Sequence, residues 1–303
     1  MAGAAVWMAG GSRPRVQGVR APLAAPKTLA ALAVGFWATN ALAGGAALAT
    51  LSLPQQLTFQ FTSAWVVLAA ARRWAPPRTD APAGSAAFAV ALGVIGVTGT
   101  ISLQYLAFAT APLVQANIVA YAWPLLVGVG LALTRLDREA LRSMGLAAVG
   151  FAGVALMVAG GDSGGGGGST AGLFAAAGSA ACMALFTFGA PRIAGREQQA
   201  LMWATALGAA GSLLAMLLTG LPGDVGPGML AAIYTGVGPM AAGYLFWTRA
   251  MASPSGRSLA PLAYATPLLS TVLLVATGSA IGGLGLVGAA ITLAAIVAVL
   301  ARS

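Results

Sequence analysis

The sequence has no histidine and a single cysteine, Cys182. A His or multi-Cys metal site, a Ser-His-Asp triad and a disulfide framework are therefore excluded within one chain, and no cofactor is expected. Cys182 reads as a small packing residue in an apolar helix. Charge is scarce too: 7% of the 303 residues are charged, where an ordinary soluble domain has roughly 25%. No Asp or Glu falls within a long apolar run. Carboxylates are the common proton relays of pumps and antiporters, so their absence argues against a proton-coupled drug antiporter. The five consecutive glycines after Ser163 precede no Gly-Lys-Ser/Thr sequence, and a phosphate cradle is not supported.

What remains is apolar: 59% of the residues are hydrophobic, the composition of a membrane protein. The net charge of +9 does not point to nucleic acid, because the bases stand between apolar runs and not in a cluster along one face.

Read in order, residues 1–27 form a loose basic arm carrying Arg13, Arg15, Arg20 and Lys27, without the apolar core and cleavage site of a signal peptide. Thr28 to Ala71 is uncharged over 44 residues. One crossing takes about 20 residues, so this run holds two helices, turned at Pro54. Arg72, Arg73 and Arg78 follow, with Trp74 as an interfacial anchor. The uncharged run Ala81 to Thr134 holds two more, with a corner at Thr110-Ala111-Pro112, and a fifth crosses from about Ser143 to Gly160. The first five-helix unit is thus 28–160, a Gly-rich linker is 161–171 and a second five-helix unit is 172–303. In that unit, crossings are expected over Leu173 to Pro191, Gln198 to Thr219 and Met229 to Thr248. The run from Ser258 to Ala301 divides into the last two near Gly278 to Gly285.

Orientation follows by counting. With the amino terminus cytoplasmic, all 15 Lys and Arg lie in the arm, the even-to-odd loops and the tail, and the five opposite loops hold only Asp162 and Asp224. Such a split is what the positive-inside bias produces, so both termini are expected in the cytoplasm. Five helices per half also means that the second half enters from the opposite side, an inverted repeat with a pseudo-twofold axis in the membrane plane.

One stretch returns in both halves. Ala120-Tyr121-Ala122-Trp123-Pro124-Leu125-Leu126 is echoed by Ala263-Tyr264-Ala265-Thr266-Pro267-Leu268-Leu269, 143 residues on. Each copy lies in the fourth helix of its half. The missing N–H of Pro124 leaves the carbonyl of Ala120 without its intrahelical donor, and Pro267 does the same to Ala263. Lipid tolerates such a break only where protein or a water-lined cavity receives it, so the two prolines mark hinges at a central transport site.

These residues resemble the drug/metabolite transporter (DMT) superfamily, specifically its EamA-type ten-helix exporters. The basic loops, Phe36-Trp37-Ala38-Thr39-Asn40 in the first crossing and the proline-broken fourth and ninth crossings carry the resemblance. Within that family, Tyr121-Ala122-Trp123-Pro124 is most similar to the Tyr-x-Trp-Pro of the YddG-type aromatic amino acid exporters, although Ala120 stands where that motif has Asn. The resemblance implies an all-α integral membrane fold of two inverted repeats. It implies a bacterial inner-membrane permease that exports aromatic and other neutral amino acids by alternating access.

Trp123 stands halfway along its crossing, where an interfacial belt does not account for it, and is expected to line the central site. There it can stack an aromatic substrate or meet an ammonium by cation–π attraction. Tyr121, Tyr264, Tyr105 and Trp37 are further candidates, as are the intramembrane amides Asn40, Gln60 and Gln104. For the amides a helix-to-helix hydrogen bond is the structural alternative. Gln115 and Asn117 are placed nearer the outer end of the fourth helix, and Trp247, Tyr244 and Trp203 in an interfacial belt. With no carboxylate to carry protons, the expected mode is uniport, by a monomer in contact with membrane lipid and small-molecule substrate. Other readings stay open: a permease for nucleosides, sugars or cationic compounds, a non-transporting scaffold, or an enzyme. The last would want polar catalytic clusters at a membrane surface.

Overall fold

The computed structural model describes residues 25–74, 85–135, 138–159, 169–193, 195–223, 226–251, 262, 265–279 and 282–300. The basic arm, the polyglycine run and Tyr264 lie outside them. Every regular element among the described residues is helical. Helix α1 spans Pro26–Leu48, α2 Leu53–Trp74, α3 Ala86–Thr110, α4 Leu113–Ala120, α5 Trp123–Arg135 and α6 Arg138–Ala159. After the gap come α7, Thr170–Gly189, and α8, Glu197–Thr219. Helix α9 is one rod made of Pro227–Thr235, a π-helical turn Gly236–Ala242 and Gly243–Met251, and α10 (Ala265–Ala276) and α11 (Gly283–Leu300) complete the chain.

The boundaries have local causes. Pro26, Pro54 and Pro227 sit in first turns, where a missing N–H is harmless. Ser85 and Ser169 cap α3 and α7 by accepting from the backbone N–H of Phe88 (3.3 Å) and Ala171 (3.1 Å). Gly220 and Gly278 take φ of 126° and 92° where α8 and α10 stop, a region closed to most side chains.

Five of these helices are long and apolar enough to cross a bilayer: Pro26–Leu48, Ala86–Thr110, Thr170–Gly189, Glu197–Thr219 and Pro227–Trp247. Many large apolar side chains point outward, with Leu218 78% and Phe174 72% exposed, while alanine is the commonest buried residue and amides and hydroxyls are buried beside it. That inversion of the soluble pattern suits hydrocarbon, where helices associate through close approach of small residues. The chain is a multi-pass membrane protein.

The packing is reciprocal. Helix α1 lies against α9 and α10, and α7 lies against α3 and the α4–α5 pair. Helix α2 packs on α9 as α8 packs on α3, while α2 meets α8, α4 meets α10 and α6 meets α11. Two glycines, Gly93 and Gly236, set matched contacts. A Cβ on Gly93 would stand 2.5 Å from the Ala200 carbonyl oxygen of α8, and one on Gly236 would collide with the Gln60 carbonyl oxygen of α2. Each is followed by or begins a π-helical turn, Val94–Thr98 in α3 and Gly236–Ala242 in α9. In α9 the cause is visible: Pro239 interrupts the i→i−4 ladder, and an extra residue per turn absorbs the gap.

Candidate functional site

The break predicted at Pro124 is present. Helix α4 ends at Ala120, and Tyr121 leaves helical geometry with φ −83° and ψ 5°. The chain re-enters a helix at Trp123, with Pro124 in its first turn. Across the turn, the N–H of Tyr121 donates to Asn117 O (3.1 Å) and that of Leu125 to Ala122 O (3.0 Å). Residues Val114 to Ala120 are buried all round, so α4 is a core helix. Pro267 lies in the first turn of α10.

Trp37, on the middle of α1, organises an aromatic cluster at this break. Its indole N–H donates to the Pro239 carbonyl at 3.0 Å, capping the π-helical turn of α9. Tyr244 meets its ring edge-on at 5.6 Å and Trp247 lies tilted against it at 5.4 Å. From the other side, the Tyr121 hydroxyl donates to Trp37 O at 3.3 Å. Trp37, Tyr121, Trp123, Tyr244 and Trp247 are all half-buried, so aromatic surface from α1, α4–α5 and α9 stays partly open beside the break. Tyr244 and Trp247, expected in an interfacial belt, pack their rings against Trp37. Trp203 is 49% exposed on α8, as a belt residue would be.

One turn from Trp37 the cluster becomes polar. Tyr105 donates to Asn40 Oδ1 at 2.9 Å, joining α3 to α1. Gln56 Nε2 reaches Thr235 Oγ1 at 3.1 Å and Gln60 Oε1 at 3.3 Å, joining α2 to the residue just before the π-helical turn. Asn40, Gln56, Gln60, Tyr105 and Thr235 are all buried. Tyr105 is fully enclosed within the bundle. Gln104, one residue before it and so about 100° around the helix, is buried but belongs to none of these bonds.

A second polar group bridges the two broken helices. Asn117 Nδ2 on α4 donates to Ser270 Oγ on α10 at 3.1 Å. The structure therefore brings Trp37, Asn40, Gln60, Tyr105 and Tyr121 into one region of the bundle, with Trp123 two residues beyond Tyr121 at the start of α5. To these it adds Gln56, Thr235, Tyr244, Trp247 and Ser270. Gln56 was signalled by its four-residue spacing from Gln60. Among the described residues no His, Cys, Asp and Glu gather into a metal-holding group.

A multi-pass helical bundle, broken at a proline beside an aromatic and amide cluster and packed reciprocally, is the architecture of a small-solute carrier. The chain matches no family model. It is 31% identical over 191 residues to the aromatic amino acid exporter YddG of Ancylobacter novellus, covering 62% of this chain and 67% of that one. A solved crystal structure superposes with a TM-score of 0.63 at 25% identity, covering 91% of this chain and 98% of the other. The chain belongs to the drug/metabolite transporter superfamily, among its EamA-type exporters.

Proposed function

We propose that this protein is a bacterial inner-membrane permease that exports amino acids, aromatic and other neutral ones, by alternating access. The observation that carries the reading is the aromatic cluster of Trp37, Tyr121, Tyr244 and Trp247. It is built from both halves of the chain at the proline break, in a relative of an aromatic amino acid exporter. Indole and phenol rings offer flat apolar faces to an aromatic side chain and a negative quadrupole to an ammonium group.

Ten crossings arranged as two inverted five-helix repeats fit the contacts between the halves, in which exchanging α1, α2 and α3 with α7, α8 and α9 reproduces the pairings of α1 with α9, α2 with α9 and α1 with α10. The 143-residue offset of the Tyr-x-x-Pro motif is also the offset of Gly93 and Gly236. A bilayer orientation with both termini cytoplasmic rests on the one-sided distribution of Lys and Arg. Uniport by a monomer is the simplest mode for a bundle whose described acids, Glu139 and Glu197, occupy first turns of helices.

The test is efflux from proteoliposomes preloaded with a panel of amino acids, comparing the parent with Trp123→Ala. Efflux of tryptophan, phenylalanine and tyrosine should fall in the variant more than efflux of small neutral amino acids. Unchanged rates for every aromatic substrate would remove Trp123 from the site, and a parent that released none of the panel would end the amino acid reading.

A further inference from the structure

The bridge between α4 and α10 is half-satisfied. Asn117 donates one of its two amide hydrogens to Ser270 Oγ, but its Oδ1 is buried with no partner, and so is Oγ1 of Thr266. Thr266 lies four residues before Ser270, on the same face of α10. Asn117 and Thr266 are 0% and 1% exposed, so water does not reach these oxygens from outside the bundle. A buried acceptor without a donor is costly, and one that a protein keeps calls for a reason, such as a strained or functional site or a bound water or ion. Gln115 and Thr271 carry further unpaired oxygens, but they are turned about 200° from Asn117 and about 140° from Thr266 on their helices, and the unpaired Gln56 Oε1 and Gln60 Nε2 belong to the polar group that joins α2 to α9.

The place of the pair ties it to the aromatic cluster. Tyr121 follows Asn117 by one turn, its backbone N–H bonded to Asn117 O at 3.1 Å and its hydroxyl on Trp37. Asn117 also stands in the last turn of Leu113–Ala120, the end of a helix that favours positive charge.

The chemistry selects the ligand. An amide oxygen only accepts hydrogen bonds, so a carboxylate would meet Oδ1 acceptor to acceptor. A primary ammonium brings three donors and a positive charge that suits both oxygens, the helix end and the neighbouring rings. Building on the amino acid reading above, we infer that Asn117 and Thr266 form the subsite for the α-ammonium group of the substrate, whose side chain then lies against Trp37, Tyr121, Tyr244 and Trp247.

Competition separates this from a structural role. Proteoliposomes releasing radiolabelled phenylalanine are challenged with phenethylamine, which has the ammonium and no carboxylate, and with 3-phenylpropionate, which has the reverse. Asn117→Leu and Thr266→Val should each weaken phenethylamine roughly tenfold and leave 3-phenylpropionate within about twofold. Thr266→Ser, which keeps the hydroxyl, should behave as the parent. If Asn117→Leu does not fold, the Thr266→Val and Thr266→Ser pair decides. Equal weakening of both competitors, or none, in variants that elute as the parent does overturns the subsite while phenylalanine efflux upholds the export reading. Efflux that requires sodium over choline in the parent but not in Asn117→Leu assigns the oxygens to a metal cation and also overturns it. A parent that releases no amino acid removes both.

Discussion

Tyr105 and Asn40 are locked together by a 2.9 Å hydrogen bond in a fully enclosed pocket, the phenol of α3 donating to the amide oxygen of α1. Gly44, one turn beyond Asn40, makes room for the ring: a Cβ there would stand 2.9 Å from Tyr105 Cε1. Two helices separated by 65 residues are thereby held at a fixed distance beside the aromatic cluster.

Tyr105→Phe keeps the ring and strands Asn40 Oδ1. Hydrogen bonds between membrane helices average about 0.6 kcal/mol and reach about 1.7, and full burial puts this one toward the upper figure. A lower melting temperature in detergent is expected for Tyr105→Phe and for Asn40→Leu. The double variant should lose less than the sum, because removing both partners leaves nothing unpaired. Strict additivity would show that the bond contributes nothing.

Glycines separate into two kinds with opposite expected signs. Gly93→Ala and Gly236→Ala drive a methyl into a backbone carbonyl of the neighbouring helix, which cannot rotate away, and such overpacking costs about 1–3 kcal/mol. Gly211, inside α8 and exposed, has nothing within 4 Å of its missing Cβ. Gly211→Ala should raise the melting temperature, by the equivalent of about 0.5–1 kcal/mol. Thermal unfolding of the three variants side by side checks both signs.

Much of this arrangement was legible in the residues. Uncharged runs with a proline at the middle located the turn between α1 and α2 and the corner between α3 and α4, since proline and charge are the signals that apolar helices cannot hide. Pro124 foretold the break at Tyr121, because a missing N–H is a local fact. The π-helical turn at Val94–Thr98 was not legible: Val-Ile-Gly-Val-Thr is ordinary helix by composition, and the close approach of Gly93 to α8 beside it appears only in the fold. The pairings of Gln56 with Thr235 and of Asn117 with Ser270 span 179 and 153 residues, and no pattern along one helix announces them. Tyr244 and Trp247 looked interfacial because depth along a helix says nothing about which way a ring turns.

Trp37 is the hub of the aromatic cluster, and Trp203 provides its control. Trp37→Phe retains a ring but withdraws the N–H from the Pro239 carbonyl, loosening the π-helical turn as well as the site. Efflux of aromatic amino acids should drop roughly tenfold, the effect of about 1.4 kcal/mol. Trp203→Phe, on the outer face, should leave efflux unchanged. Equal effects from both would mean that tryptophan loss acts through general destabilisation.

A bundle without intramembrane acids should be indifferent to pH. Among the described residues the only acidic side chains are Glu139 and Glu197, in the first turns of α6 and α8, and the chain has no histidine. No group inside the bundle then changes charge between pH 5.5 and 8, since tyrosine ordinarily titrates near 10. Phenylalanine efflux should therefore be flat across that range and unaffected by an imposed pH difference. Accumulation against the substrate gradient under such a difference would rule out uniport.

Pro124→Ala asks whether the break is a functional device or an incidental bend. Alanine restores the N–H that Ala120 O lacks and permits α4 and α5 to join into one helix. In the first turn of α5 the missing N–H of Pro124 costs little, and alanine also suits the continuous helix that proline forbids, so the variant should melt at or above the parent temperature. Joining the helices would turn Tyr121 away from Trp37 and shift Asn117 relative to Ser270. Efflux of aromatic amino acids should accordingly fall while stability holds or rises, the trade expected when a strained element serves function. A variant that is both more stable and equally active would show that transport does not use the break.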